Sequence, residues 1–250
     1  MRLRWRLVFY GVLGLVPLVF LAACIVAALF LAAAVLVGPS SASREDKKIE
    51  QDVQHGVAYH EAGHAVVFAY LCGPESVRDV VVFTALDDDS FGVMHMKSRN
   101  QLSTADDLMR EASVFMAGRA ADVVINGAAT NGAGSDLGYA NRIIWNKYLV
   151  SGLGGSLLVR ERSKAPDELT AKVEKDLDDA NACAEAIIRE NREAVTVIGD
   201  AVMEQKDRGH AMTLSGDAAR ELLKKHPLKL LPPDVQAKLM PACTPSLAKK

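Results

Sequence analysis

The chain has 250 residues and a formal net charge of -2; half of its residues are hydrophobic, 24% charged and 6% aromatic. This is the composition of a folded protein, rich enough in Ala to favour helix over sheet, and it carries no basic stripe outside the flanks of its first apolar run, which excludes nucleic acid as a partner. Its four cysteines form no CxxC pair; a cysteine metal site is excluded and no disulfide framework is expected, since one bridge among Cys72, Cys183 and Cys243 leaves one over.

Arg2, Arg4 and Arg6 open the chain, and no charge interrupts Leu7 to Val37. A helix needs about 20 apolar residues to cross a bilayer, whereas a signal-peptide core runs about 7–15. Residues 1–38 are therefore expected to form one uncleaved transmembrane anchor. Arg44, Lys47 and Lys48 on the far flank offset the leading arginines, so the side of the membrane that carries the rest stays open. Residues 39–54 read as a polar linker, 55–226 as the globular domain and 227–250 as an extended Pro-rich tail.

Within the domain, His55 to Leu71 reads as a helix stopped by Gly73-Pro74. Val77–Phe83 and Phe91–Met96 read as a β-hairpin, with Asp87–Asp89 as its solvated turn. Ser103-Thr104 caps a helix ending near Gly127. The glycine-rich loop 127–135 follows, and a helix opens at Ser135-Asp136 and runs to about Val150. That loop has no GK[ST], and no Walker motif occurs, so ATP hydrolysis is not expected of these residues. Pro166 begins a long helical stretch to about Lys206, broken near Asn191; a short helix spans Ser215 to about Lys225. The expected fold class is mainly α with a small β-hairpin, preceded by the transmembrane helix.

His60-Glu61-Ala62-Gly63-His64 carries the chemistry. Two histidines four apart share one helix face, and their ring nitrogens can converge on one ion. Glu61 is rotated about 100° away, outside coordination but within reach of a water on that ion. Zinc would lower the pKa of that water, and Glu61 would take its proton as general base. The bland alternative is a surface helix with two solvated histidines, but the flanking Val57, Ala58, Ala65, Val66 and Val67 predict burial, and buried imidazoles need partners.

A catalytic zinc needs a third protein ligand. The residues leave Asp136, Asp122, Glu111, His95 and the Asp87–Asp89 turn as candidates. Local chemistry favours Asp136, which sits at a helix start where exposed amides favour an anion.

YHEAGHA at 59–65, GRAAD at 118–122 and GAGSDLGYAN at 132–141, with AEAIIRENREAV at 184–195 and TLSGDAARELL at 213–223, together resemble the peptidase domain of the FtsH family, the M41 metallopeptidases. The resemblance covers about 55–225 in order. It implies a helical peptidase domain, Zn2+ as cofactor, His60, His64 and Asp136 as ligands, Glu61 as the catalytic base, and unfolded or membrane-associated proteins as substrates. It also implies partners: a separate AAA+ ATPase, since the family's ATPase module has no counterpart between residues 38 and 55, and further copies of the chain. Val123 stands where the family commonly carries a second acidic residue, and residues 84–92 differ from its pattern. Two readings follow, an ATP-independent zinc endopeptidase at a membrane and an adaptor subunit serving a separate ATPase. A purely structural zinc is disfavoured, since such sites are closed by four protein ligands, often cysteines.

Overall fold

The structure is a computed structural model that describes residues 41–84, 92–96, 103–157 and 161–245, with side chains from Asp52 onward. The expected anchor over 1–38 and the acidic turn at Asp87–Asp89 lie outside the described residues. No helix among the described residues is long and apolar enough to cross a membrane. Two compact units divide the chain, Met1–Glu50 and Gln51–Lys250, and the second carries the elements that position the site.

Helix α1 spans Ser41–Cys72. It begins well before His55 because residues 41–54 hold Arg, Glu, Lys and Gln and neither Gly nor Pro, so nothing in them stops a helix. Gly73, with φ 97°, and Pro74 end it. From Ala58 to Leu71 nearly every residue is buried, including Ala62, Ala65, Val66 and Phe68. A helix stretch buried on all sides, its polar His60, Glu61 and His64 included, lies inside the domain, and this rules out the solvated surface helix.

Helix α2 spans Ala105–Ala121. The Thr104 hydroxyl accepts from the Asp107 N–H at 3.2 Å, and the Asp107 carboxylate accepts from the Thr104 N–H at 3.1 Å, a reciprocal cap. The helix continues into one π-helical turn, Asp122–Asn126, which Gly127 closes at φ 91°. Helix α1 crosses α2 at Gly63, where a Cβ would sit 2.6 Å from Ala121 Cβ and 2.8 Å from the Ala117 carbonyl oxygen. Only glycine allows the two backbones that close.

Helix α3 spans Gly134–Leu149 and α4 spans Asp167–Glu190; both pack on α2. Asn191 separates α4 from α5, Arg192–Met203, near the break the sequence predicts. Its side chain donates to the Ile187 carbonyl at 2.9 Å and accepts from the Lys229 N–H at 2.7 Å, which holds the corner.

Strands β1, Val77–Phe83, and β2, Gly92–Met96, pair antiparallel as expected. A third strand, β3, Ala211–Ser215, pairs with the other side of β1, so the order is β2-β1-β3 and β2 lies at an edge. AMTLS alternates, with Met212 and Leu214 inward, but five residues are too short to announce a strand; pairing with β1 makes it one. Helix α6, Gly216–Lys225, follows at once, capped by Ser215.

The segment after α6 does not run free, as its prolines suggest. It turns through α7, Pro233–Gln236, and a 3-10 turn, Pro241–Cys243. The Leu231 N–H donates to the Tyr70 hydroxyl at 3.2 Å, and Arg110 Nε donates to the Ala242 carbonyl at 3.1 Å. Cys243 is disulfide-bonded to Cys183 of α4, with Cα atoms 5.7 Å apart. Spacing alone could not reveal this pair, because the partners lie 60 residues apart.

Candidate metal centre

His60 and His64 sit one turn apart on α1, 7% and 6% exposed, with ring centroids 5.0 Å apart. Each ring is tied from behind. His60 Nδ1 lies 3.2 Å from Asp122 Oδ2, at the start of the π-turn. His64 Nδ1 lies 2.6 Å from the Val114 carbonyl oxygen on α2. Both partners are acceptors, so the partners assign the proton to Nδ1 in each ring and leave the Nε2 atoms to face forward. Both Nε2 atoms face Asp136 Oδ2, each at 3.1 Å.

That arrangement tests the site for a cation. Two Nε2 lone pairs aimed at a carboxylate oxygen repel it unless something positive stands between them. The ligand atoms of His60, His64 and Asp136 lie within 4.8 Å of one another. Two imidazole nitrogens and a carboxylate oxygen, with Glu61 and Asp122 adding negative charge beside them, fit a divalent ion.

The same electrostatics move the protonation equilibria of the ion-free site. Burial by itself lowers His60, but hydrogen bonds to Asp122 and Asp136 and the charge of Glu61 outweigh it and raise His60 to about 10. Burial is outweighed in the same way at His64, which Asp136 and Glu61 raise. Burial would raise Asp136, yet the two imidazoles hold it well below the usual carboxylate range.

Glu61 is 6% exposed and lies beside the histidines rather than among the converging atoms. Burial raises its carboxyl, with Asp136 adding to the rise; His64, His60 and a hydrogen bond from the Met94 N–H oppose it. The edge strand β2 therefore holds this carboxylate in place. A Cβ on Gly92, the first residue of β2, would sit 2.8 Å from Glu61 Oε1.

Of the other candidates, His95 is half-exposed on β2 and paired with Asp79, and Glu111 stays outside the cluster. Asp122 is present but faces the rear nitrogen of His60. Asn126 Nδ2 donates to its Oδ1 at 3.3 Å and the Thr130 hydroxyl to its Oδ2 at 3.0 Å. Asn126 also donates to the Gly56 carbonyl of α1 at 3.3 Å. The π-turn thus grips α1 at two points. The sequence carries one cue to this grip, the i,i+4 pair Asp122 and Asn126, and none to the Val114 carbonyl. Gly118, in the GRAAD segment, makes room for the His60 ring, which its Cβ would otherwise overlap at 2.1 Å.

The profile of "Peptidase family M41" matches residues 47–206. The chain belongs to peptidase family M41. Among its M41 relatives is a protein of Oenococcus oeni named ATP-dependent zinc metalloprotease FtsH, 36% identical over 109 residues, or 44% of this chain and 15% of the relative. ATP-dependent zinc metalloprotease FtsH 2 of Phytoplasma mali is 29% identical over 180 residues, 68% of this chain and 26% of the relative. The FtsH of Streptococcus pneumoniae serotype 4 is 28% identical over 186 residues, again 68% of this chain and 28% of the relative. This M41 chain thus spans between 15% and 28% of the length of these relatives.

Proposed function

We propose that this chain is a zinc endopeptidase that cuts unfolded or membrane-associated proteins, with His60, His64 and Asp136 as metal ligands and Glu61 as general base. The observation that carries the reading is the convergence of both Nε2 atoms on Asp136 Oδ2, with the buried Glu61 carboxylate beside them. The M41 match and the relatives' names support zinc and proteolysis.

A divalent ion held there would supply an electrophile that polarises a peptide carbonyl and acidifies water. The protein's own groups do the rest. Asp122 and the Val114 carbonyl fix both imidazoles so that Nε2 faces forward. Glu61, its carboxyl raised by burial, accepts the proton of the attacking water and returns it to the leaving amine. Met94 holds Glu61 so that the transfer needs no search for geometry. Membrane anchoring through residues 7–37 belongs to the same reading and is supported by their unbroken apolarity.

The test is metal content and casein cleavage by the purified full chain, beside Glu61→Gln. The variant should keep its zinc and lose cleavage by about 10²–10⁴-fold. Equal cleavage by both proteins would reject the mechanism. A second reading, an adaptor for a separate AAA+ ATPase, is motivated by the missing Walker motif in a chain whose relatives are named ATP-dependent. Zinc binding with cleavage only after an ATPase is added would favour it.

A further inference from the structure

We propose that the metal-bearing unit matures and works in an oxidising compartment, on the side of a membrane away from the cytosol, where the Cys183–Cys243 bond staples the carboxy-terminal strap onto the helices behind the metal centre. Disulfides persist in secreted, periplasmic and lumenal proteins and are rare in the cytosol, where those found are mostly catalytic or redox-sensing. Sensing and catalytic bonds are exposed and labile. This one is neither, because Cys183 and Cys243 are both fully buried and no CxxC motif accompanies them. It is a structural bond, and a structural bond needs an oxidising compartment.

The strap has reason to be stapled. From Leu228 to Pro245 few side chains are buried, chiefly Leu231, Ala242 and Cys243. Its polar ties are few: Lys229 with Asn191, Leu231 with Tyr70 and Ala242 with Arg110. A segment with so little buried surface opens easily, and a covalent tie removes that freedom. The tie also backs the metal centre. Arg110, 8% exposed, gives its Nε–H to the strap's Ala242 carbonyl and lies one turn before Val114, whose carbonyl holds His64. Releasing the strap leaves a buried guanidinium without that acceptor, on the helix that orients a metal ligand.

Bond formation is a two-electron oxidation. The Cys183 and Cys243 thiols give up two protons and two electrons, the S–S bond forms, and the disulfide of a thiol–disulfide oxidoreductase in that compartment is reduced to its dithiol. For a chain anchored by residues 7–37, the side left open by the flanking charges becomes the non-cytosolic one.

The deciding experiment counts thiols in the full chain. Cells producing it are quenched in acid, and the denatured protein is modified with a polyethylene glycol maleimide before and after reduction. The chain has four cysteines. Two modified thiols before reduction and four after are expected, changing to three and three in Cys183→Ser. Four modified thiols before reduction would overturn the proposal. So would a count of one before reduction in either Cys183→Ser or Cys243→Ser, since a pair other than these two would then be bonded. In a second measurement, Cys243→Ser should melt roughly 6–12 °C lower than the oxidised parent, from the typical worth of a disulfide in a domain of this size. An unchanged melting temperature refutes the staple. Neither readout involves metal or cleavage, so both stand apart from the peptidase reading.

Discussion

Replacing Gly118 by alanine places a methyl carbon 2.1 Å from His60 Nε2 and 2.4 Å from its Cε1, where ordinary contact begins at 3.4 Å. The ring must retreat by the difference, about 1.3 Å at Nε2. It has little freedom to do so, being 7% exposed with Nδ1 tied to Asp122. Metal–ligand distances tolerate only about 0.2 Å, so a displacement of this size removes His60 from the ligand set. We expect zinc affinity to fall at least ~100-fold, or about 2.7 kcal/mol. The fold should survive, because alanine gains about 1 kcal/mol of helix propensity against an overpacking cost of about 1–3 kcal/mol. Gly138→Ala is the control: it lies on α3, two residues from Asp136, and its Cβ would meet nothing within 4 Å. It should bind zinc like the parent and melt a few degrees higher. Competition with a fluorescent chelator gives the affinities, and circular dichroism melts of metal-free protein give the stabilities. Zinc binding by Gly118→Ala within a few-fold of the parent would show that the imidazole can move away without loss, and the reasoning from its two-sided constraint would fail.

Three further outcomes are expected. Asp122→Asn should weaken zinc binding by about 10–100-fold without unfolding the domain, because the amide no longer anchors the His60 N–H as a carboxylate does; unchanged affinity in the chelator assay would count against that role. In the metal-free protein His60 titrates near 10 rather than 6.5, so its stabilising contribution is complete below about 6.5 and is lost as pH rises through about 10. Melting temperature in chelator should therefore fall from pH 7 to 10 while zinc affinity rises over the same range, and a flat profile in both would contradict the coupling. Lys147→Ala should cost about 3 kcal/mol in thermal melts, because it leaves the half-buried Asp176, now 2.7 Å from Nζ, without its cation; Lys147→Met should lower the melting temperature to a similar degree if the unpaired charge rather than lost packing is responsible.

The helices were legible wherever the chain marks its own ends. Thr104 with Asp107, Gly127 and Asn191 each act within a few residues, so the sequence shows them. The pair His60 and His64 was legible for the same reason, since four residues on a helix fix which side chains meet. What decides their function lies far along the chain. Val114 is 50 residues from His64, Asp122 is 62 from His60 and Asp136 is 76 from His60, and only the folded domain joins them. Local chemistry could favour Asp136 without choosing it; the FtsH-like motif was needed. β3 and the Cys183–Cys243 bond escaped because each depends on a partner across the fold. The start of α1 is hidden in the sequence because polar, charged residues serve a helix as well as a linker.

The π-turn at Asp122–Asn126 makes the domain sensitive to counting as well as to chemistry. One extra residue in that turn sets the phase between everything upstream on α2 and everything downstream. Deleting one of Val123, Val124 and Ile125 would take up that extra residue and return the turn to ordinary α geometry, leaving Asp122 and Asn126 three residues apart instead of four. Gly118 and Val114 would stay where they are, while Asp122 and Asn126 would lose the spacing that lets one hold His60 and the other the Gly56 carbonyl. The cradle would lose one wall at a stroke, although every residue type it needs would still be present in the protein.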